Sequence, residues 1–205
     1  MPGMAGAITI YGSFKLVQTG DVLFENNVTD KNTAGAIYCG NNERKRIGGQ
    51  WLLSADGGNI VFRGNLVKGS SGVFARALAI FVYAPENDYT GMSQPNGNLT
   101  MDFRAQAGRE IVFYDGIDIE SITVAMPTLH INRIPADWAD YGGIPVEFGG
   151  TVRFSGALTE SFLVRNDGES DGDYAERVEA SRRVKLESNI IVEGGRLVIE
   201  YGMNL

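Results

Sequence analysis

The sequence predicts an all-β chain built by repetition, and three observations carry that reading. A glycine turn followed by a β-rich run recurs as GDVLFENN (20–27), GNIVFRGN (58–65), GREIVFYD (108–115), GTVRFSGA (150–157) and GRLVIEYG (195–202). Two short phrases return in the same order: AGAI at 5–8 and FENN at 24–27, then AGAI at 34–37 and FRGN at 62–65. Long apolar stripes of helical period are scarce, while 27 glycines in 205 residues supply turns and weaken helices.

Side-chain alternation explains the recurring run. Successive strand residues point to opposite faces. With Phe24, Phe62, Phe113, Phe154 and Ile199 inward, Val22, Ile60, Ile111, Val152 and Leu197 are inward too, so both columns are apolar throughout. The residues between them, Leu23, Val61, Val112, Arg153 and Val198, face outward and tolerate a charge. Stacked repeats then share one apolar column that no single repeat could bury alone. Asn27 and Asn65 are placed to stack along the same axis, and the glycine of each AGAI suits a sharp corner or a close backbone approach.

The Phe-to-Phe intervals are 38, 51, 41 and 45 residues. A β-coil takes roughly 20–25 residues, so each interval reads as about two coils with insertions in loops. Ile8 to Phe24 spans 16 residues and Ile37 to Phe62 spans 25, and the surplus matches the nine-residue loop NNERKRIGG at 41–49. A short strand precedes most glycine turns: WLLS (51–54), LTMDF (99–103), IPVEF (144–148) and NIIVE (189–193). Strand, glycine turn and strand can also form an antiparallel hairpin, so the alternative fold is an antiparallel β-sandwich. DYAERVEAS (173–181) is a short helix, and YAPENDYTGMSQPNGN (83–98) and MPTLHINRIPADWADYGG (126–143) are long loop excursions.

The order Gly-Ala-Ile, then Phe-x-x-Asn, resembles the GGAI and FxxN repeats of chlamydial polymorphic outer-membrane proteins and related autotransporter passengers. AGREIVFYDGI (107–117), GGTVRFSG (149–156) and VKLESNIIVEGGRLVIEYGMNL (184–205) are similar to the region before the translocator in such proteins. Gly116 stands where proline is usual, and Ala5 and Ala34 replace the first glycine of each GGAI. The likeness covers nearly the whole chain and is weakest at 66–98 and 118–140. It implies a right-handed parallel β-helix with loop insertions, residues 1–205 forming one domain excised from a longer passenger. The signal peptide and translocator barrel would lie outside this sequence. It also implies display on the surface of a Gram-negative bacterium, at the outer membrane or in secreted form, with adhesion or recognition as the function. Implied partners are a host or matrix protein or glycan and the chain's own C-terminal translocator barrel. Other readings are a purely structural stalk, a polysaccharide-processing β-helix enzyme or a phage fibre.

Composition narrows the chemistry. A net charge of −7 argues against broad nucleic-acid binding, which needs a basic face. No run is apolar enough for a membrane helix, and no long series of amphipathic strands suits a barrel, so direct membrane insertion of this segment is not expected. Cys39 is the single cysteine, which forbids an intrachain disulfide, and it reads as a core residue. Glycoside cleavage needs paired carboxylates at a matched separation. Asp115 with Asp118 and Asp137 with Asp140 are spaced three apart, but Asp115 sits in a turn-like Tyr-Asp-Gly that favours Asp for local reasons. His130, the single histidine, lies in an apparent strand without a nucleophile motif beside it. No catalytic residue and no cofactor is expected. Asp167, Glu169, Asp171 and Asp173 in DGESDGD resemble the start of a calcium loop, a weak candidate because Val178 occupies the position of the closing Glu. The partner-binding candidates are loop residues: Tyr89, Trp138, Tyr141 and the basic run Arg44, Lys45 and Arg46.

Overall fold

The computed structural model describes residues 6–10, 13–30, 34–40, 49–69, 72–84, 99–121, 128–186 and 189–200. The chain is mostly β, with 47% of residues in strands against 12% in helix, in keeping with the expected all-β class. It visits three parallel sheets in rotation. The first circuit carries β1 (Ile8–Ile10), β2 (Phe14–Gln18) and β3 (Val22–Glu25), with the short β4 (Val28–Thr29). The second carries β5 (Ile37–Gly40), β6 (Gly49–Ala55), β7 (Ile60–Arg63) and β8 (Leu66–Lys68). The third carries β9 (Phe74–Ala84), β10 (Leu99–Ala105) and β11 (Glu110–Phe113), and the fourth β12 (Gly116–Ser121), β13 (Thr128–Ile131) and β14 (Thr151–Phe154). Helices α1 (Glu160–Leu163) and α2 (Asp171–Arg182) then precede β15 (Val184–Leu186), β16 (Asn189–Val192) and β17 (Arg196–Ile199).

Each strand pairs in parallel with its counterpart one circuit away. The first sheet runs β1-β5-β9-β12-β15, the second β2-β6-β10-β13-β16 and the third β3-β7-β11-β14-β17. Among the described residues the one antiparallel pair is β8 with β9. The strands flanking Gly20 and Gly58 belong to different sheets rather than to hairpins, so the sandwich alternative is not the arrangement found.

Register follows the columns expected from alternation. Phe24 pairs with Phe62, Phe62 with Phe113, Phe113 with Phe154 and Phe154 with Ile199. The rings stack at centroid spacings of 4.6, 4.7 and 5.3 Å with interplanar angles of 2°, 10° and 19°. Val22, Ile60, Ile111, Val152 and Leu197 form the second column. On the outer face Arg153 bridges Glu110 at 2.9 Å and Glu200 at 2.7 Å.

The spacing of those columns corrects one expectation. Adjacent phenylalanines are one circuit apart, so each interval is a single circuit, not two coils. A circuit here has three sides and three connections, and needs correspondingly more chain. Two further expectations shift. The segment 144–148 forms no strand, because Pro145 has no N–H to offer a ladder; β13, inside the segment expected to be a loop, takes that place in the second sheet. Of the expected insertion 41–49, Gly49 opens β6 and 41–48 lie outside the described residues, as does 85–98.

The Phe-x-x-Asn phrase now has a physical explanation. Phe points in, and the residue two further turns the chain with positive φ: Asn26 at 55°, Gly64 at 66° and Gly156 at 63°. Asn27 then donates its amide to Asn65 Oδ1 at 2.8 Å. In the AGAI phrase the glycine permits contact: a Cβ on Gly35 would stand 2.4 Å from the Asn65 carbonyl carbon, and one on Gly6 2.2 Å from Gly35 O.

Candidate functional site

The second sheet carries its charged residues on the outer face. In β10, Met101, Phe103 and Ala105 point into the core, which sends Asp102 and Arg104 outward. Yet Asp102 is 0% and Arg104 1% exposed, because the chain between β13 and β14 folds back over them as a strap.

The strap, residues 133–149, is tied at its base. Asn132 takes positive φ (56°), and its side chain accepts from Ala105 N–H at 2.8 Å while donating to Gly150 O and Gly194 O at 3.0 Å each. A compact turn forms the strap's tip: a 3₁₀ segment Ala139–Tyr141 ends at Gly142 and Gly143, whose N–H groups return to Ala139 O (3.2 Å) and Trp138 O (2.8 Å). The rings of Trp138, Tyr141 and Phe148 pack together there, Trp138 to Phe148 near parallel at 6.2 Å and Tyr141 to Phe148 edge-on at 5.4 Å.

Beneath the strap lies an ion cluster. Asp102 Oδ2 accepts from Arg133 Nη2 at 2.6 Å and Gln50 Nε2 at 3.0 Å, with Arg104 Nη2 at 3.4 Å. The Phe148 ring sits 5.6 Å from the Arg104 guanidinium carbon. A relay runs outward from Arg104: Nη1 donates to the Tyr141 hydroxyl at 3.2 Å, which contacts Ser54 Oγ at 3.0 Å, and Ser54 donates to Asp56 Oδ1 at 2.6 Å. Since the one serine proton goes to Asp56, Tyr141 is the donor to Ser54. Burial pushes the Asp56 carboxyl above its ordinary range, against the Ser54 hydrogen bond and the Arg104 charge. Two polar atoms in the cluster lack a partner, Asp102 Oδ1 and Arg104 Nε.

A second buried carboxylate closes the asparagine ladder. Asp115 is fully buried and accepts from Gly64 N–H (2.8 Å), Asn65 N–H (2.9 Å) and Asn65 Nδ2 (2.7 Å). Burial outweighs these donors and pushes the carboxyl up to about 6.

A third polar knot fastens α2. Arg177 grips Glu169 with Nε at 2.6 Å and Nη2 at 2.9 Å, donates to Phe162 O at 2.7 Å and lies 4.6 Å over the Phe162 ring. The guanidinium holds the Glu169 carboxyl down to about 2, Asn166 assisting. A cleft of about 320 Å³ between α2 and the start of β9 is lined by Phe74, Glu169, Asp173 and Glu176 among others.

The site candidates from the sequence fare differently. Trp138 and Tyr141, expected as exposed loop residues, are half-buried in the strap: the Tyr141 hydroxyl turns onto Arg104, and Trp138 packs against the rings of Tyr141 and Phe148. Tyr89 and the run Arg44, Lys45 and Arg46 lie outside the described residues, as does the side chain of Cys39. The acidic run 167–173 begins α2: Ser170 caps the helix, accepting from Asp173 N–H and donating to the Asp173 carboxylate, while Asp171 pairs with Arg165 and Glu169 with Arg177. Among the described residues no three of His, Cys, Asp and Glu converge as a metal would require. His130 bonds Glu193 at 2.7 Å from the outer face. In the sequence, of Asp102, Arg104 and Arg133 only the first two are marked, as charges at alternate positions of the strand LTMDFRA (99–105).

Comparison with protein-family models, curated proteins and solved structures finds no match. Among the described residues no helix is long and apolar enough to cross a membrane.

Proposed function

We propose that this chain is a passenger segment of an autotransporter-like outer-membrane protein: a right-handed parallel β-helix displayed on a bacterial surface, acting in adhesion or recognition. One observation supports it above others: the residues of the recurring Gly-Ala-Ile and Phe-x-x-Asn phrases align circuit on circuit, Ile8 on Ile37 and Phe24 on Phe62. A repeat phrase that stacks on its own next copy is what a β-helix passenger requires. In this reading the coils supply rigidity and reach, and recognition falls to segments between strands, residues 85–98 after β9 and the strap 133–149 after β13. The partner is a host or matrix protein or glycan, the chemistry is binding rather than catalysis, and the segment's own translocator barrel anchors it.

Protease shaving of intact bacteria tests the reading. An antibody against residues 1–205 should lose its signal when protease is added to unlysed cells producing the full-length protein. A signal that resists protease until the cells are lysed would sink the display reading.

A further inference from the structure

The ion cluster beneath the strap is closed in a way that leaves its central groups unfinished. Asp102 and Arg104 are at most 1% exposed, and each retains a polar atom with no partner. A buried donor or acceptor without a partner is unfavourable relative to the same group in water or against a ligand. The cover, meanwhile, is held lightly. Both strap ends are pinned to one point, Asn132 to Gly150. Among the described residues the one backbone hydrogen bond from the strap's interior to the rest of the chain is a long one, to the turn between β10 and β11: Ala107 N–H to Glu147 O at 3.4 Å. Its other hydrogen bonds, ion pairs and ring contacts to the ion cluster run through side chains: Tyr141 on Arg104 and Ser54, Arg133 on Asp102, and Phe148 over Arg104. A loop closed at its base can swing without disturbing the register of β13 and β14.

We propose that the strap is a lid, and that its opening presents Asp102 and Arg104 to a neutral saccharide. The charges specify the ligand class. Two carboxylates, Asp102 and Asp56, stand with two guanidinium groups, Arg104 and Arg133, so the cluster has no excess charge to attract an anion or a cation. What it offers is an acceptor, Asp102 Oδ1, and a donor, Arg104 Nε, on two side chains that meet at 3.4 Å through Oδ2 and Nη2. A hydroxyl both donates and accepts, so a row of hydroxyls satisfies both atoms at once. The aromatic rings of Trp138, Tyr141 and Phe148 supply the flat apolar surface against which the C–H face of a sugar ring packs. Tyr141 is the latch, since it spends its hydroxyl on Arg104 and Ser54 while the lid is shut.

The proposal rests on the recognition reading for its ligand and not for its moving part, and the two fail separately. The chain has two tryptophans, Trp51 being wholly buried in the core, so Trp138 fluorescence reports the lid. Chitotetraose, maltotetraose and cellotetraose are titrated against the wild-type chain and Tyr141→Phe. At least one should shift the Trp138 emission saturably, with half-saturation about tenfold lower in Tyr141→Phe because less of the protein is held shut. Asp102→Asn, verified as folded by circular dichroism, should abolish the shift; should it not fold, the ratio between wild type and Tyr141→Phe decides alone. Equal half-saturation in those two proteins, or no response from Tyr141→Phe to any of the three sugars, overturns the lid. Failure of the shaving experiment with the ratio intact would remove surface display and leave the lid standing.

Discussion

Asp115 and Glu169 show how single carboxylates set opposite limits on stability. The folded chain holds the Asp115 proton up to about pH 6, against 3.8 for the ordinary carboxyl, because burial disfavours its charge. Ionisation as pH rises through 6 therefore weakens the fold, and stability returns as pH falls from 7 toward 4. The linkage is worth about 2–3 kcal/mol at most. Glu169 acts the other way. Its folded value of about 2 lies below 4.5, so its contribution is present above pH 4.5 and is lost as pH falls toward 2. Urea unfolding across pH should give a maximum near pH 4, and Asp115→Asn should flatten the slope between pH 4 and 7. The phenylalanine column makes a second prediction at this scale. Phe62 is stacked on both sides and fully buried, so Phe62→Ala should cost about 3–5 kcal/mol in the same assay.

At the scale of elements, what was legible in the sequence was whatever alternation governs. The inward columns and their partners could be read because period two decides which side chains share a face, and the short helix showed in its string of helix formers. The number of sides to a circuit could not be read, since chain length between two stacked residues does not say how many corners it turns. The strap was hidden for a related reason. Asp102 and Arg104 occupy outward positions, and only the folded path of a segment some 30–45 residues later, Arg133 to Phe148, shows that outward here does not mean wet. Helix α2 is likewise held by polar contacts more than by an apolar stripe: Arg177 and Ser181 are its buried residues, and Ser181 accepts from Ala77 N–H of β9 at 2.9 Å. Arg177→Lys loses the two-pronged grip on Glu169. Hydrogen exchange in α2 should then accelerate about tenfold while strands β6, β10 and β11 keep their protection, and unchanged exchange would show that the grip does not hold the helix.

The whole molecule is dominated by contacts between residues a full circuit apart. Phe24 meets Phe62, and Phe62 meets Phe113, so each parallel ladder forms only after a long loop has closed. Local contacts give little early reward, and refolding after denaturant dilution should be slow, on the order of seconds or longer. Stopped-flow fluorescence would reveal it; a submillisecond main phase would mean that some shorter-range nucleus organises the chain. Once formed, each circuit rests chiefly on its two neighbours, so damage in one should weaken adjoining circuits before distant ones.

The tie between Asn132 and Gly150 has a consequence for how such a molecule can vary. Everything between those two residues leaves the second sheet and comes back to nearly the same place, so the strands on either side need not know how long the detour is or what it spells. The strap is in effect an exchangeable cassette. A foreign peptide grafted between residues 132 and 150 would keep its place on the scaffold provided it again roofs over Asp102 and Arg104, and the same freedom would let related chains diversify here while their coils stay in step.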